Sequence, residues 1–115
     1  MKTHTENTSQ RHQKWHFDIN NRMLLNGPSQ LSLTKTESLI VESMYFKEER
    51  IISREELIYS IGREPGCYRG LKMNLSRLQA KFKKCFDGER LFRAVRNRGY
   101  CLTQVIKGDI DDPRS

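Results

Sequence analysis

Leu71-Lys72-Met73-Asn74-Leu75-Ser76-Arg77-Leu78-Gln79-Ala80-Lys81-Phe82 is the stretch on which the fold turns. Its large apolar residues, Leu71, Leu75, Leu78 and Phe82, fall at i, i+4, i+7 and i+11, which is one stripe of an α-helix. Turning at about 100° per residue places Met73, Ser76, Arg77, Ala80 and Lys84 on the opposite face. Lys72 and Gln79 lie on one flank, Asn74 and Lys81 on the other. The pattern predicts a helix over about 69–86, ended by Asp87-Gly88. One face of it belongs in a core. The other is basic and carries small residues, Ser76 and Ala80, that permit close approach. On that face Arg77 can pair bidentately with a guanine edge and Met73 can pack on a thymine methyl.

Downstream, Leu91–Val95 and Tyr100–Val105 read as two strands joined by Arg96-Asn97-Arg98-Gly99, where Asn and Gly tolerate positive φ. This hairpin, residues 91–104, carries Arg93, Arg96 and Arg98 in or beside its turn. Beyond it the chain becomes polar and acidic (Asp109, Asp111, Asp112), and 106–115 is expected to be a flexible tail.

Upstream, Gly62–Arg69 is a loop around Glu64-Pro65-Gly66. Ser53-Arg54-Glu55-Glu56 and Thr34-Lys35-Thr36-Glu37 are two capping boxes. The first opens a short helix whose Leu57, Ile58 and Ile61 share a face, stopped at Gly62, with Ile51-Ile52 stapling its entry. The second opens a largely buried helix of about three turns through Leu39, Ile40, Val41, Met44, Tyr45 and Phe46. Before that, Trp15, Phe17 and Ile19 alternate with polar residues. Asn20-Asn21 and Asn26-Gly27-Pro28 supply turns, and Met23–Leu25 and Leu31–Leu33 complete three short antiparallel strands. Residues 1–13 are nearly devoid of apolar side chains and are expected to form a disordered tail, leaving one domain over 14–105.

Sheet, helix, short helix, basic helix, basic hairpin is a DNA-reading order. The third helix can enter the major groove while the hairpin reaches the adjacent minor groove. The residues expected at such an interface are Arg69, Lys72, Met73, Asn74, Ser76, Arg77 and Lys84 from the helix, and Arg93, Arg96 and Arg98 from the hairpin. Lys81, Lys83 and Lys84 are open to two readings, phosphate contact or a solvated helix end favoured by the macrodipole.

Charge agrees with a polyanion partner. The chain is +7 overall. Between Arg63 and Arg98 stand eleven Lys/Arg against three acids, a local +8, so the remainder is slightly acidic. Membrane-surface binding is the other use of such charge. No apolar run nears the roughly 18 residues of a bilayer span, and Met1–Lys14 lacks the apolar centre of a signal peptide, so a cytoplasmic, nucleoid-associated location is expected. Cys67, Cys85 and Cys101 contain no C-x-x-C pair and fit inert reduced thiols. His12 and His16 have a helical metal spacing but no second ligand pair, so neither metal nor cofactor is expected. Nucleophile elbow, phosphate-cradling glycine loop and metal box are all missing, which argues against an enzyme. A protein-interaction adaptor on the same fold is the alternative function. Single-stranded RNA binding calls for exposed stacking aromatics, which the face from Met73 to Lys84 does not offer.

Four stretches in order resemble the winged-helix effector domain of bacterial OmpR/PhoB-type response regulators and their ToxR-like relatives. They are Leu33–Glu37, Ile52–Leu57, Leu71–Leu78 and Val95–Leu102, within a resemblance covering about 15–104. The resemblance implies an α+β winged helix-turn-helix with an N-terminal four-stranded sheet and a transcription-regulating role. It implies Arg77 as the major-groove arginine and Arg96 or Arg98 as the minor-groove residue. Loop 63–69 corresponds to the segment that meets RNA polymerase in several members, and a homodimer on DNA is a further expectation. The chain departs from the family pattern at Ser76 and Gln79, where arginines are common, at Lys72, where an acid is common, and at Asn97, which replaces the first glycine of the wing turn. Nor do these residues read as a receiver domain, so no phospho-acceptor aspartate is expected among them.

Overall fold

The computed structural model describes residues 14–47 and 51–108. The expected tail 1–13, with His12, and residues 109–115 lie outside the described residues. Three strands open the fold: β1 (Trp15–Asp18), β2 (Met23–Asn26) and β3 (Ser29–Ser32). They pair antiparallel in sequence order, with Phe17 opposite Leu24 and Leu24 opposite Leu31. That register turns the side chains of Trp15, Phe17, Leu24 and Leu31 to one side, where all four are buried.

Both capping boxes form. Thr34 Oγ1 accepts from the Glu37 N–H at 3.1 Å while Glu37 Oε1 accepts from the Thr34 N–H at 2.9 Å, opening α1 (Lys35–Tyr45). Ser53 and Glu56 exchange the same pair of bonds at 3.0 and 2.9 Å, opening α2 (Arg54–Ser60). Gly62, at φ +79°, closes α2: its N–H reaches the Tyr59 carbonyl and the Arg63 N–H reaches the Ile58 carbonyl. One expectation fails here. Phe46 is not buried with the α1 run but caps the helix with 46% of its surface exposed.

The third helix, α3 (Leu71–Cys85), buries Leu71, Leu75, Leu78 and Phe82 as its stripe requires. Phe82 and Phe86 pack on Trp15, with ring centroids 5.0 and 5.2 Å away, so α3 lies across the sheet. Ile40, Val41, Leu57, Ile58 and Leu91 complete the core. At the foot of α1, Glu37 is buried and receives a second partner, Lys81 Nζ at 2.6 Å, which ties α1 to α3.

The hairpin comprises β4 (Phe92–Val95) and β5 (Gly99–Leu102), antiparallel, with Arg93 opposite Cys101 and Ala94 opposite Tyr100. Its second strand stops at Leu102 rather than Val105. The chain then crosses to the sheet, where β6 (Ile106–Gly108) pairs parallel with β1, Trp15 opposite Ile106. This corrects the expected boundary at 105. Residues 106–108 belong to the domain because they satisfy the open edge of β1, and the Gly108 N–H is further held by Tyr45 Oη at 2.8 Å. The four-stranded sheet implied by the resemblance therefore exists, in order β3-β2-β1-β6, but its last strand is C-terminal and parallel.

Candidate DNA interface

Two elements that flank one trough, α3 and the hairpin, present cations to water. On α3, Lys72, Met73, Ser76, Arg77, Ala80, Lys83 and Lys84 are exposed, as is Arg69 just before it. Met73 is an unusual surface residue, with 57% of its area exposed beside Arg77. On the hairpin, Arg93, Ala94, Arg96, Asn97 and Arg98 are exposed. The turn is closed by the Arg98 N–H donating to the Val95 carbonyl at 2.9 Å, with Asn97 at φ +61°, which Asn adopts more readily than most residues. Asn97 thus serves where the resemblance would have placed glycine.

Between α3 and the hairpin runs a trough of about 420 Å³ whose walls include Ser76, Ala80 and Ala94, with Lys72 and Lys83 along its rim. Leu75, Phe92 and Tyr100 line it too, and both of its cations belong to α3. A second basin of about 530 Å³ lies between α2, the 63–69 loop and α3. Arg54, Arg69 and Lys72 line it without an acid. The sequence does not single out Arg54, and it leaves Lys83 open between phosphate contact and a solvated helix end. Arg54 sits inside a capping box that explains it locally, and Lys83 stands among three lysines with no signal to separate them.

Three residues on the flanks of α3, of which Asn74 belongs to the expected set, turn to other parts of the fold. The Asn74 amide donates to Tyr68 Oη at 2.6 Å, so Asn74 faces the loop rather than the free side of α3. Tyr68 is held again from its other side, by the Arg63 guanidinium 5.5 Å over its ring. Lys81 pairs with Glu37, a structural ion pair that neither of its two sequence readings, phosphate contact or solvated helix end, foresaw. Gln79 departs furthest from its flank position: its amide reaches the hairpin at Leu91 and Phe92.

The hairpin is also fastened to the entry of α2. Ile52 and Tyr100 exchange two backbone hydrogen bonds, both 2.9 Å. Gly99, at φ +137°, permits this, because a Cβ there would stand 2.0 Å from the Ile52 carbonyl oxygen. Only glycine fits so close to another backbone.

Titration adds little at this surface. The Glu56 carboxyl is held below its ordinary range, first by the hydrogen bond from Lys47 and then by its capping bonds to Ser53. Burial pushes the Cys85 thiol up, and its Sγ donates to the Gln30 carbonyl at 3.4 Å. Cys67 is exposed and Cys101 buried. Among the described residues no cluster of three or more His, Cys, Asp or Glu could hold a metal ion, and no helix is long and apolar enough to cross a membrane.

A family model described as "Transcriptional regulatory protein, C terminal" matches residues 28–102, from the turn before β3 to the end of β5. The chain belongs to the OmpR/PhoB-type family. Solved structures with the same fold include the RstA DNA-binding domain of Klebsiella pneumoniae in complex with the RstA box. It is 23% identical, with 75% of this chain and 87% of that one covered at a TM-score of 0.61. The DNA-binding domain of CpxR from E. coli is 23% identical over 77% of this chain and 86% of its own, at 0.59. That of E. coli CadC is 19% identical over 75% and 82%, at 0.61. No curated protein sequence matches the chain. Within this OmpR/PhoB-type domain, α2 and α3 form the helix-turn-helix and β4–β5 the wing.

Proposed function

We propose that this chain is a sequence-specific transcription regulator that reads double-stranded DNA with α3 in the major groove and the wing at the neighbouring minor groove. The observation that carries this is that α3 and the wing, the two elements flanking one trough, both expose cations, with the wing fixed to the helix-turn-helix. Arg77, with Met73 and Ser76, faces base edges; Arg69, Lys72, Lys83 and Lys84 meet phosphates; Arg96 and Arg98 enter the minor groove and Arg93 borders it. Arg54 joins Arg69 and Lys72 on the phosphate side. Asn74 holds the 63–69 loop against α3 through Tyr68, and the part of that loop before Arg69 is the surface offered to RNA polymerase. Family membership and the DNA complex of the RstA domain favour this reading. Two copies on adjacent half-sites would double the base pairs read without enlarging either interface.

The test begins with selection of a preferred duplex from a randomised pool, followed by titration across salt. Four to six phosphate contacts give a slope of log affinity against log salt of roughly −4 to −5. Replacing Arg96 and Arg98 together by Ala flattens it by about one to two units. The loss is larger on A·T-rich flanks, whose narrow groove concentrates negative potential. An unchanged slope removes the wing from the interface, and wild type that binds no duplex at all removes the proposal.

A further inference from the structure

Gln79 leaves the flank of α3 to pair with backbone. Its Oε1 accepts from the Leu91 N–H at 2.8 Å and the Phe92 N–H at 3.3 Å, and its Nε2 donates to the Phe92 carbonyl at 2.8 Å. One side chain thus holds the root of the wing much as a neighbouring strand would. The same short run of backbone is gripped from the other side. The Arg90 carbonyl accepts from Thr103 Oγ1 and Gln104 Nε2, both at 2.7 Å, and the Leu91 carbonyl accepts from the Thr103 N–H at 2.9 Å. Farther along, the Ile52–Tyr100 bridge holds the wing against the entry of α2. Besides the packing of Leu91, Phe92, Tyr100 and Leu102 on the core, the described residues hold the wing to the helix-turn-helix by these two sets of hydrogen bonds, and the Gln79 set is the one that reaches α3. Beside it a trough lies between α3 and the wing, lined by Leu75, Ser76 and Ala80 on the helix and by Phe92, Ala94 and Tyr100 on the hairpin. Apolar packing is non-directional, whereas the three Gln79 bonds are directional.

We infer that Gln79 is a positioning residue that fixes the offset between α3 and the wing, and thereby the number of base pairs between what the helix reads in the major groove and what the wing reads in the minor groove. The inference rests on the duplex-reading proposal above. Two elements held rigidly at the right offset bind as one, because placing the second costs little further entropy. Held loosely, they bind more weakly and tolerate duplexes of altered spacing. No apolar residue can replace Gln79, since the clamp needs an acceptor for two N–H groups and a donor for a carbonyl in one planar group.

The substitution that tests this is Gln79→Met, close in length and unable to make any of the three bonds. In the free protein, backbone residual dipolar couplings of α3 and the wing should fit one alignment tensor in wild type. In Gln79→Met they should require two. On DNA, shifting an A·T-rich flank by one base pair from its preferred place should weaken wild type about tenfold. Gln79→Met should bind the preferred duplex about tenfold more weakly and distinguish the shifted one by less than about twofold. Leu78→Ala, destabilised through the core with the clamp intact, should keep the wild-type preference for flank position. If Gln79→Met does not fold, Gln79→Asn, one methylene too short to reach both N–H groups, takes its place in both measurements. A single tensor together with undiminished flank discrimination overturns the inference. Wild type that fails to bind duplex defeats the functional proposal instead, and the dipolar couplings still decide the clamp.

Discussion

Gly99→Ala should loosen the domain more than any other single methyl group added to a described glycine at a turn. The new Cβ would lie 2.0 Å from the Ile52 oxygen, 2.7 Å from the Ile52 carbonyl carbon and 2.8 Å from the Ser53 Cα. All three are backbone atoms, so no side-chain rotation relieves the clash. The φ of +137° adds strain of about 1–3 kcal/mol for an L side chain. To make room, β5 must withdraw from Ile52, and both 2.9 Å bonds of the bridge then lengthen beyond use. Each is worth about 0.5–1.5 kcal/mol net. The combined loss is about 2–6 kcal/mol, and in a domain of this size about 1 kcal/mol moves Tm by about 4–8 °C. Circular dichroism melts should therefore place Gly99→Ala at least about 10 °C below wild type. Gly88→Ala is the control: its φ is +77°, but its Cβ would meet nothing within 4 Å, so only conformational strain opposes it. A Gly99→Ala melt within about 3 °C of wild type, or no lower than that of Gly88→Ala, would refute the close approach and the bridge with it.

Arg77→Ala should cost about 1–3 kcal/mol on the preferred duplex and much less on random sequence, measured by competition binding; equal losses on both would make Arg77 a phosphate contact. Leu78→Ala should lower stability by about 2–5 kcal/mol in urea unfolding, because its fully buried side chain leaves a cavity between α3 and the sheet; an unmoved midpoint would mean the helical phase is wrong. Lys81→Ala strands the buried Glu37 carboxylate and should lower Tm while leaving the salt slope of DNA binding intact. A flattened slope with an unchanged Tm would place Lys81 on phosphate instead.

What the sequence discloses is what is local. Both capping boxes, the Leu71–Phe82 stripe and the Asn97 turn depend on residues within a few positions of one another, and all stand as read. Periodicity also fixes the outward face of α3, hence Arg77, Met73 and Ser76. Positions on the flank were not decidable that way. Asn74, Gln79 and Lys81 sit between faces, and their partners Tyr68, Phe92 and Glu37 were set by tertiary distance rather than spacing. Ile106-Lys107-Gly108 is too short to show alternation, and only the open edge of β1, distant in sequence, makes it a strand. Phe46 misled because it ends an apolar run just where α1 itself ends, and the last turn swings it outward.

The parallel pairing of β1 with β6 also determines how the domain answers force. Tension that draws residue 14 and residue 108 apart runs along the two strands in opposite senses, since β1 is entered at one end and β6 is left at the other. The strands are then sheared rather than peeled. All the hydrogen bonds between them share the load, whereas at the tip of the wing the same tension would open bonds one after another.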